Sequence, residues 1–136
     1  MKNMAMILLV NHNERNLELL SDLLAKRGFA TAPASSLEAF DMLLAAPDEV
    51  AMALVDIAGF DQTIWQRCEQ LRRRKIPFLV ISPRQSVAIQ QASLTHGAKG
   101  VMIKPLVTRE LLGIIESMLE GTNEPHSTPV GEQEEP

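Results

Sequence analysis

Val50-Ala51-Met52-Ala53-Leu54-Val55-Asp56 (residues 50–56) is an unbroken apolar run that stops on a carboxylate. It lacks the alternation of apolar and polar residues that marks a strand with one wet face, so it reads as a strand buried on both sides. Strands of that kind belong to parallel sheets with helices packed on each face. Pro47-Asp48 separates the run from the helix expected before it.

Toward the N-terminus the pattern repeats. Met6-Ile7-Leu8-Leu9-Val10 is a short apolar run, and Leu17, Leu20 and Leu24 then share one helical stripe that Gly28 ends. Phe29 to Ala32 is brief enough for a second strand. Ser35 and Glu38 have capping-box spacing, and Leu37, Phe40 and Leu44 follow on one helix face. Toward the C-terminus, Ile64, Cys68 and Leu71 mark a third helix, with Arg67, Arg72, Arg73 and Arg74 on its far face. Pro77 opens the strand Phe78 to Ile81, which Ser82 closes. Ser86 caps a weakly patterned fourth helix that runs through Thr95 to Gly97. Val101-Met102-Ile103 is a fifth strand ending at Lys104-Pro105, and Thr108 caps a last helix with Leu111, Ile115, Met118 and Leu119 inward. Five such units predict an α/β fold with a five-stranded parallel sheet, helices on both faces, and ligands at the carboxyl ends of the strands.

The chain has 136 residues, 46% of them hydrophobic and 22% charged, which suits one globular domain. We expect that domain over residues 1–120 and a disordered polar tail over 121–136, where Pro, Ser, Thr, Gly and Glu replace large apolar residues. A net charge of −4 argues against a general nucleic-acid or membrane-surface binder. Cys68 is the one cysteine, so an internal disulfide and a cysteine metal cluster are excluded, and a cytoplasmic location is expected. The run Met4 to Val10 is too short for a membrane span and lacks a cleavage site, so it is not read as a signal peptide.

Polar residues gather at the strand ends: Asn11 and His12 after the first strand, Asp56 after the third, Ser82 after the fourth and Lys104 after the fifth. Singly, each is an ordinary turn or cap residue. Together, Leu54-Val55-Asp56-Ile57, Ile81-Ser82 and Gly97-Ala98 leading to Lys104-Pro105 resemble the receiver domains of bacterial response regulators over residues 5–119. The resemblance implies the CheY-like, flavodoxin-like doubly wound (βα)5 sheet with strand order 2-1-3-4-5. It also implies a role in two-component or phosphorelay signalling. Asp56 would be the phosphoacceptor, with Lys104 and Ser82 holding the phosphoryl group and magnesium neutralising it.

Several positions depart from that family. Receivers usually carry two adjacent acidic residues after the first strand, and Asn11 and His12 stand there instead. Magnesium prefers carboxylate and water oxygens, so no bound magnesium or other cofactor is expected. Asn11, His12 and Asp56 would make only a thin transition-metal set. Pro83 lacks the backbone N–H that the family offers the phosphoryl group. Val101 occupies the switch position in place of an aromatic residue, and Phe60 replaces a proline in the loop after Asp56. With so few carboxylates nearby, a direct Asp56–Lys104 ion pair is expected, flanked by neutral Asn11 and His12.

The expectation is therefore a non-enzymatic, stand-alone pseudo-receiver that acts through protein–protein contacts. Its partner would be a signalling protein, either a histidine kinase or an output protein. The face expected to meet it is the fourth helix, fifth strand and last helix, near His96, Lys99, Arg109 and Glu110, and a homodimer is possible there. One alternative is a working receiver phosphorylated at Asp56 by a histidine kinase. A flavodoxin-like nucleotide or cofactor binder is disfavoured, because Asn13-Glu14-Arg15-Asn16 stands where a glycine-rich phosphate loop would be.

Overall fold

The structure, a computed structural model, describes residues 6–45 and 50–121. The expected break at Pro47-Asp48 and the expected tail after Gly121 lie outside the described residues. The chain divides into two compact units, one up to Pro105 and one from Leu106.

The first unit holds β1 (Met6–Val10), α1 (Glu14–Lys26), β2 (Ala30–Ala34), α2 (Leu37–Ala45), β3 (Met52–Asp56), α3 (Ile64–Arg73), β4 (Phe78–Ser82), α4 (Val87–Thr95) and β5 (Gly100–Ile103). All strand pairs are parallel, and their order is β2-β1-β3-β4-β5. Leu8, Val10, Ala53, Val55, Phe78 and Val80 bury one face against Phe40 and Leu44 of α2 and Ile64, Cys68 and Leu71 of α3. Their alternates Ile7, Leu9, Met52, Leu54, Leu79 and Ile81 are buried on the opposite face. Burial of both faces is why these strands read as continuous apolar runs. α1, with Leu17 and Leu24 buried, packs along β1 and β2.

Local chemistry sets the boundaries. Asn13 caps α1, its Oδ1 accepting the Asn16 backbone N–H at 3.0 Å. Gly28 ends the α1 turn at φ +89° and Gly97 ends α4 at φ +102°, both in the left-handed region that favours glycine. Ser86 caps α4 as its position predicts, accepting the Ile89 N–H at 3.2 Å.

Four expectations are corrected. Ser36, not Ser35, caps α2: its Oγ accepts the Ala39 N–H at 3.1 Å, while Ser35 donates to Glu14. β2 covers Ala30–Ala34 rather than Phe29–Ala32, because it runs in register with all of β1. Arg67 does not stand on a wet face but forks onto Asp41 of α2 through Nε and Nη2 at 3.0 and 2.9 Å. In the second unit, Thr108 is the first residue of α5 (Thr108–Gly121) rather than a cap before it. The buried residues of α5 are Leu111, Leu112 and Ile115, with Met118 and Leu119 half-buried.

Candidate functional site

The sheet ladder continues one residue beyond several strand ends and thereby fixes the backbone around Asp56. Asn11 N–H bonds Ala34 carbonyl at 3.1 Å, Ile57 N–H bonds Ile81 carbonyl at 3.1 Å, and Lys104 N–H bonds Ser82 carbonyl at 3.0 Å. β1 and β3 lie side by side, and the chain winds outward from them in opposite directions, so their carboxyl ends flank the switch point of the sheet.

Three of the five expected strand-end residues meet there. The Asp56 side chain is 3% exposed, and Lys104 Nζ, on a side chain 31% exposed, lies 2.6 Å from Asp56 Oδ2. Asn11 Nδ2 donates to the same oxygen at 3.1 Å. The other oxygen, Asp56 Oδ1, accepts the Ala58 backbone N–H at 3.0 Å. The amide of Asn11 can point only one way. Its other end receives the Asn13 backbone N–H at 2.8 Å, so that atom must be the oxygen and the NH2 must face the carboxylate. Asp56 therefore has a charge partner and two neutral donors, which is what a nearly buried carboxylate requires.

The other expected site residues point elsewhere. Ser82 is buried, and its hydroxyl donates to the Arg84 carbonyl at 2.6 Å instead of joining Asp56. His12 is exposed and sets its ring edge-on to Phe60, with centroids 5.7 Å apart. Gly59 lies beside that ring at φ +85°, where an added Cβ would come within 3.1 Å of His12 Cγ. Val101 is half-buried against the core. The structure adds two groups to the site, Asn13 and the Ala58 amide. Asn13 carried a legible signal, an Asn just before a helical pattern. The Ala58 N–H carried none, because backbone donors leave no mark in a sequence.

A second cluster joins α3 to the end of α4. His96 Nδ1 lies 3.1 Å from Glu69 Oε2, and its ring stacks on Trp65 at 5.4 Å and 15°. Arg72 Nη2 holds the Glu69 Oε1 atom at 2.8 Å. Arg72 and His96 together draw the Glu69 carboxyl below its ordinary range. Burial pushes the Cys68 thiol up to about 12, so it is inert as a nucleophile at neutral pH.

The sequence matches no protein-family model. It is 28% identical over 123 residues to the transcriptional regulatory protein HprR of Escherichia coli (strain K12). That match covers 90% of this chain and 55% of HprR, so the chain spans about half the length of this relative. Among solved structures it resembles a CheY-like response regulator receiver domain protein from Methanospirillum hungatei JF-1, with TM-score 0.80 and 21% identity over 90% of this chain and 98% of that one. A two-component response regulator from Clostridium difficile gives TM-score 0.79 and 20% identity over 89% and 100% of the two chains. HP1043, an orphan response regulator of H. pylori, gives 0.73 and 20% over 85% and 96%. Five parallel strands in the order 2-1-3-4-5 with their connecting helices, matched at these scores, give the chain the fold of the CheY-like response-regulator receiver domains.

Proposed function

We propose that this chain is a receiver module of a two-component signalling pathway whose Asp56 pocket is closed without metal, and that it signals by binding a partner rather than by accepting a phosphoryl group. The carrying observation is the double hold on Asp56 Oδ2 by Lys104 and Asn11. In the receiver reaction that oxygen pair must bind magnesium and attack phosphorus. Here both Asp56 oxygens and the Asn11 oxygen already accept protein donors, and His12 offers an imidazole rather than a carboxylate. This donor set does not fit magnesium, a hard cation that takes oxygen ligands in near-octahedral geometry.

With Asn11 and His12 in place of the acidic pair, the one carboxylate of Asp56 is balanced, among the described residues, by Lys104 alone. Ser82, turned toward Arg84, and Pro83, without an N–H, support the same reading. Partner contact through α4 and β5 is supported by exposed Val87, Leu94 and Ile103, apolar side chains on elements that the receiver resemblance assigns to partner binding. The HprR likeness favours a partner within transcriptional signalling.

The rival reading, a receiver phosphorylated at Asp56, draws on the same Asp56–Lys104 pair. Magnesium separates the two. Millimolar magnesium should leave the melting temperature of the natural sequence unchanged, whereas Asn11→Asp with His12→Asp should gain magnesium-dependent stabilisation. A magnesium-dependent rise in the unmodified chain would contradict the proposal.

A further inference from the structure

α3 and the end of α4 meet on a cluster that the Asp56 pocket does not use. His96 is the C-cap of α4, and its Nδ1 lies 3.1 Å from Glu69 Oε2. The imidazole stacks on Trp65, with centroids 5.4 Å apart and planes 15° from parallel. The other Glu69 oxygen accepts Arg72 through Nη2 at 2.8 Å and Nε at 3.2 Å. A carboxylate only accepts, so His96 Nδ1 carries a proton whether the ring is neutral or charged. Nε2 is therefore the atom that gains or loses one, on a side chain 30% exposed and so open to solvent protons.

Three contacts strengthen when Nε2 takes a proton. The bond to Glu69 becomes an ion pair, the indole face meets a cation within cation–π distance, and that cation sits at the carbonyl end of α4. Two cations stand against it: Arg72, whose stem lies beside Gly97 and whose head is held by Glu69, and Lys99, three residues further along the chain. Glu69 stays ionised into mildly acid solution, because Arg72 first and His96 second draw its carboxyl below the ordinary range. We propose that His96 is a proton-operated clasp between α3 and α4. Protonated at Nε2, it holds the end of α4 through the Glu69 carboxylate and the Trp65 face; deprotonated, it keeps one neutral hydrogen bond and a ring contact. Leu94, two residues before it, is 52% exposed and belongs to the surface assigned above to a partner. Mild acid thus fixes the α4 end of that surface, a consequence that rests on the partner-binding reading, whereas the clasp itself does not.

Trp65 is the only tryptophan in the sequence, and an imidazolium in contact with an indole quenches its emission, so the clasp carries its own reporter. The full chain is titrated from about pH 8.5 to about pH 5.5, across the imidazole range. Emission should fall in one step. His96→Gln keeps a neutral donor for Glu69 but cannot titrate, and should remove the step; His12→Gln should retain it. A double-mutant cycle of His96→Gln with Glu69→Gln, read by urea denaturation at both ends of the titration, gives the coupling. It should be about threefold larger in the unfolding equilibrium constant at the acid end, where a purely structural His96 would give equal coupling at both. Ring-nitrogen NMR of the unsubstituted chain repeats the test without a variant: Nε2 should titrate with the emission step while Nδ1 stays protonated. The clasp is overturned by flat emission, by a step that survives in His96→Gln, by equal coupling at the two ends, or by a neutral ring whose proton sits on Nε2. A phosphoryl adduct on Asp56 would overturn the metal-free reading and leave these outcomes standing.

Discussion

Asp56 is where the chain commits a charge to its interior, and three donors, Lys104, Asn11 and the Ala58 N–H, hold it there. Removing Lys104 leaves a nearly buried carboxylate with only neutral donors, so Lys104→Ala should destabilise by about 1–3 kcal/mol. The double change Lys104→Ala with Asp56→Ala should recover part of that loss, because no buried charge is then stranded. Chemical denaturation of the four proteins in the cycle measures the coupling, and a coupling near zero would show that the pair does not act as described. Asp56 and Lys104 were legible in the sequence, since each stands where an apolar run ends. The role of Asn11 was not: a neutral side chain beside a carboxylate becomes a donor only once the Asn13 N–H has fixed which way its amide points. Ser82 shows the opposite failure. Its position was legible, but its hydroxyl rotor found a closer acceptor in its own loop.

Periodicity locates most of the helices and strands, because buried stripes and two-sided apolar runs are strong signals, while α4 is placed by its cap Ser86 and by Gly97. The boundaries that moved are those where the local signal is weak. In Phe29-Ala30-Thr31-Ala32-Pro33-Ala34 alanine and proline carry little strand preference, and pairing with β1 decides the register. Pro33, exposed on this edge strand, limits further strand pairing there. Adjacent hydroxyls at Ser35 and Ser36 gave two possible caps, and only three-dimensional geometry selects one. At the end of α4, Gly97 combines φ +102° with close approach to the Arg72 side chain. Gly97→Ala should therefore destabilise by about 1–3 kcal/mol, read as a lower denaturation midpoint, and should loosen the Arg72–Glu69 contact. Glu69 adds a pH dependence of known sign. Its folded-state pKa is depressed by Arg72 first and His96 second, so its contribution is present above the ordinary glutamate value and is lost as pH falls through the folded value. Between about pH 5 and pH 3, Glu69→Gln should lose less stability than the natural chain does. An identical acid profile for the two would show that the cluster contributes nothing.

Across the first unit, the sheet places Asn11, Asp56 and Lys104 at one edge from three different strands, so the pocket is a product of topology rather than of any single segment. The sheet itself is an inheritance of the apolar runs, and its likeness to receiver domains follows from it. The chemistry of the pocket is local to this chain: the Asn11 amide and the Lys104 ammonium meet on one oxygen of Asp56. The most direct measurement is intact-protein mass after incubation with acetyl phosphate and magnesium, with Asp56→Asn as control. On the proposed metal-free reading the natural sequence keeps an unmodified mass, because Asp56 is engaged by Lys104, Asn11 and Ala58. A phosphoryl adduct that disappears in Asp56→Asn would contradict it and would establish a receiver that works by phosphorylation.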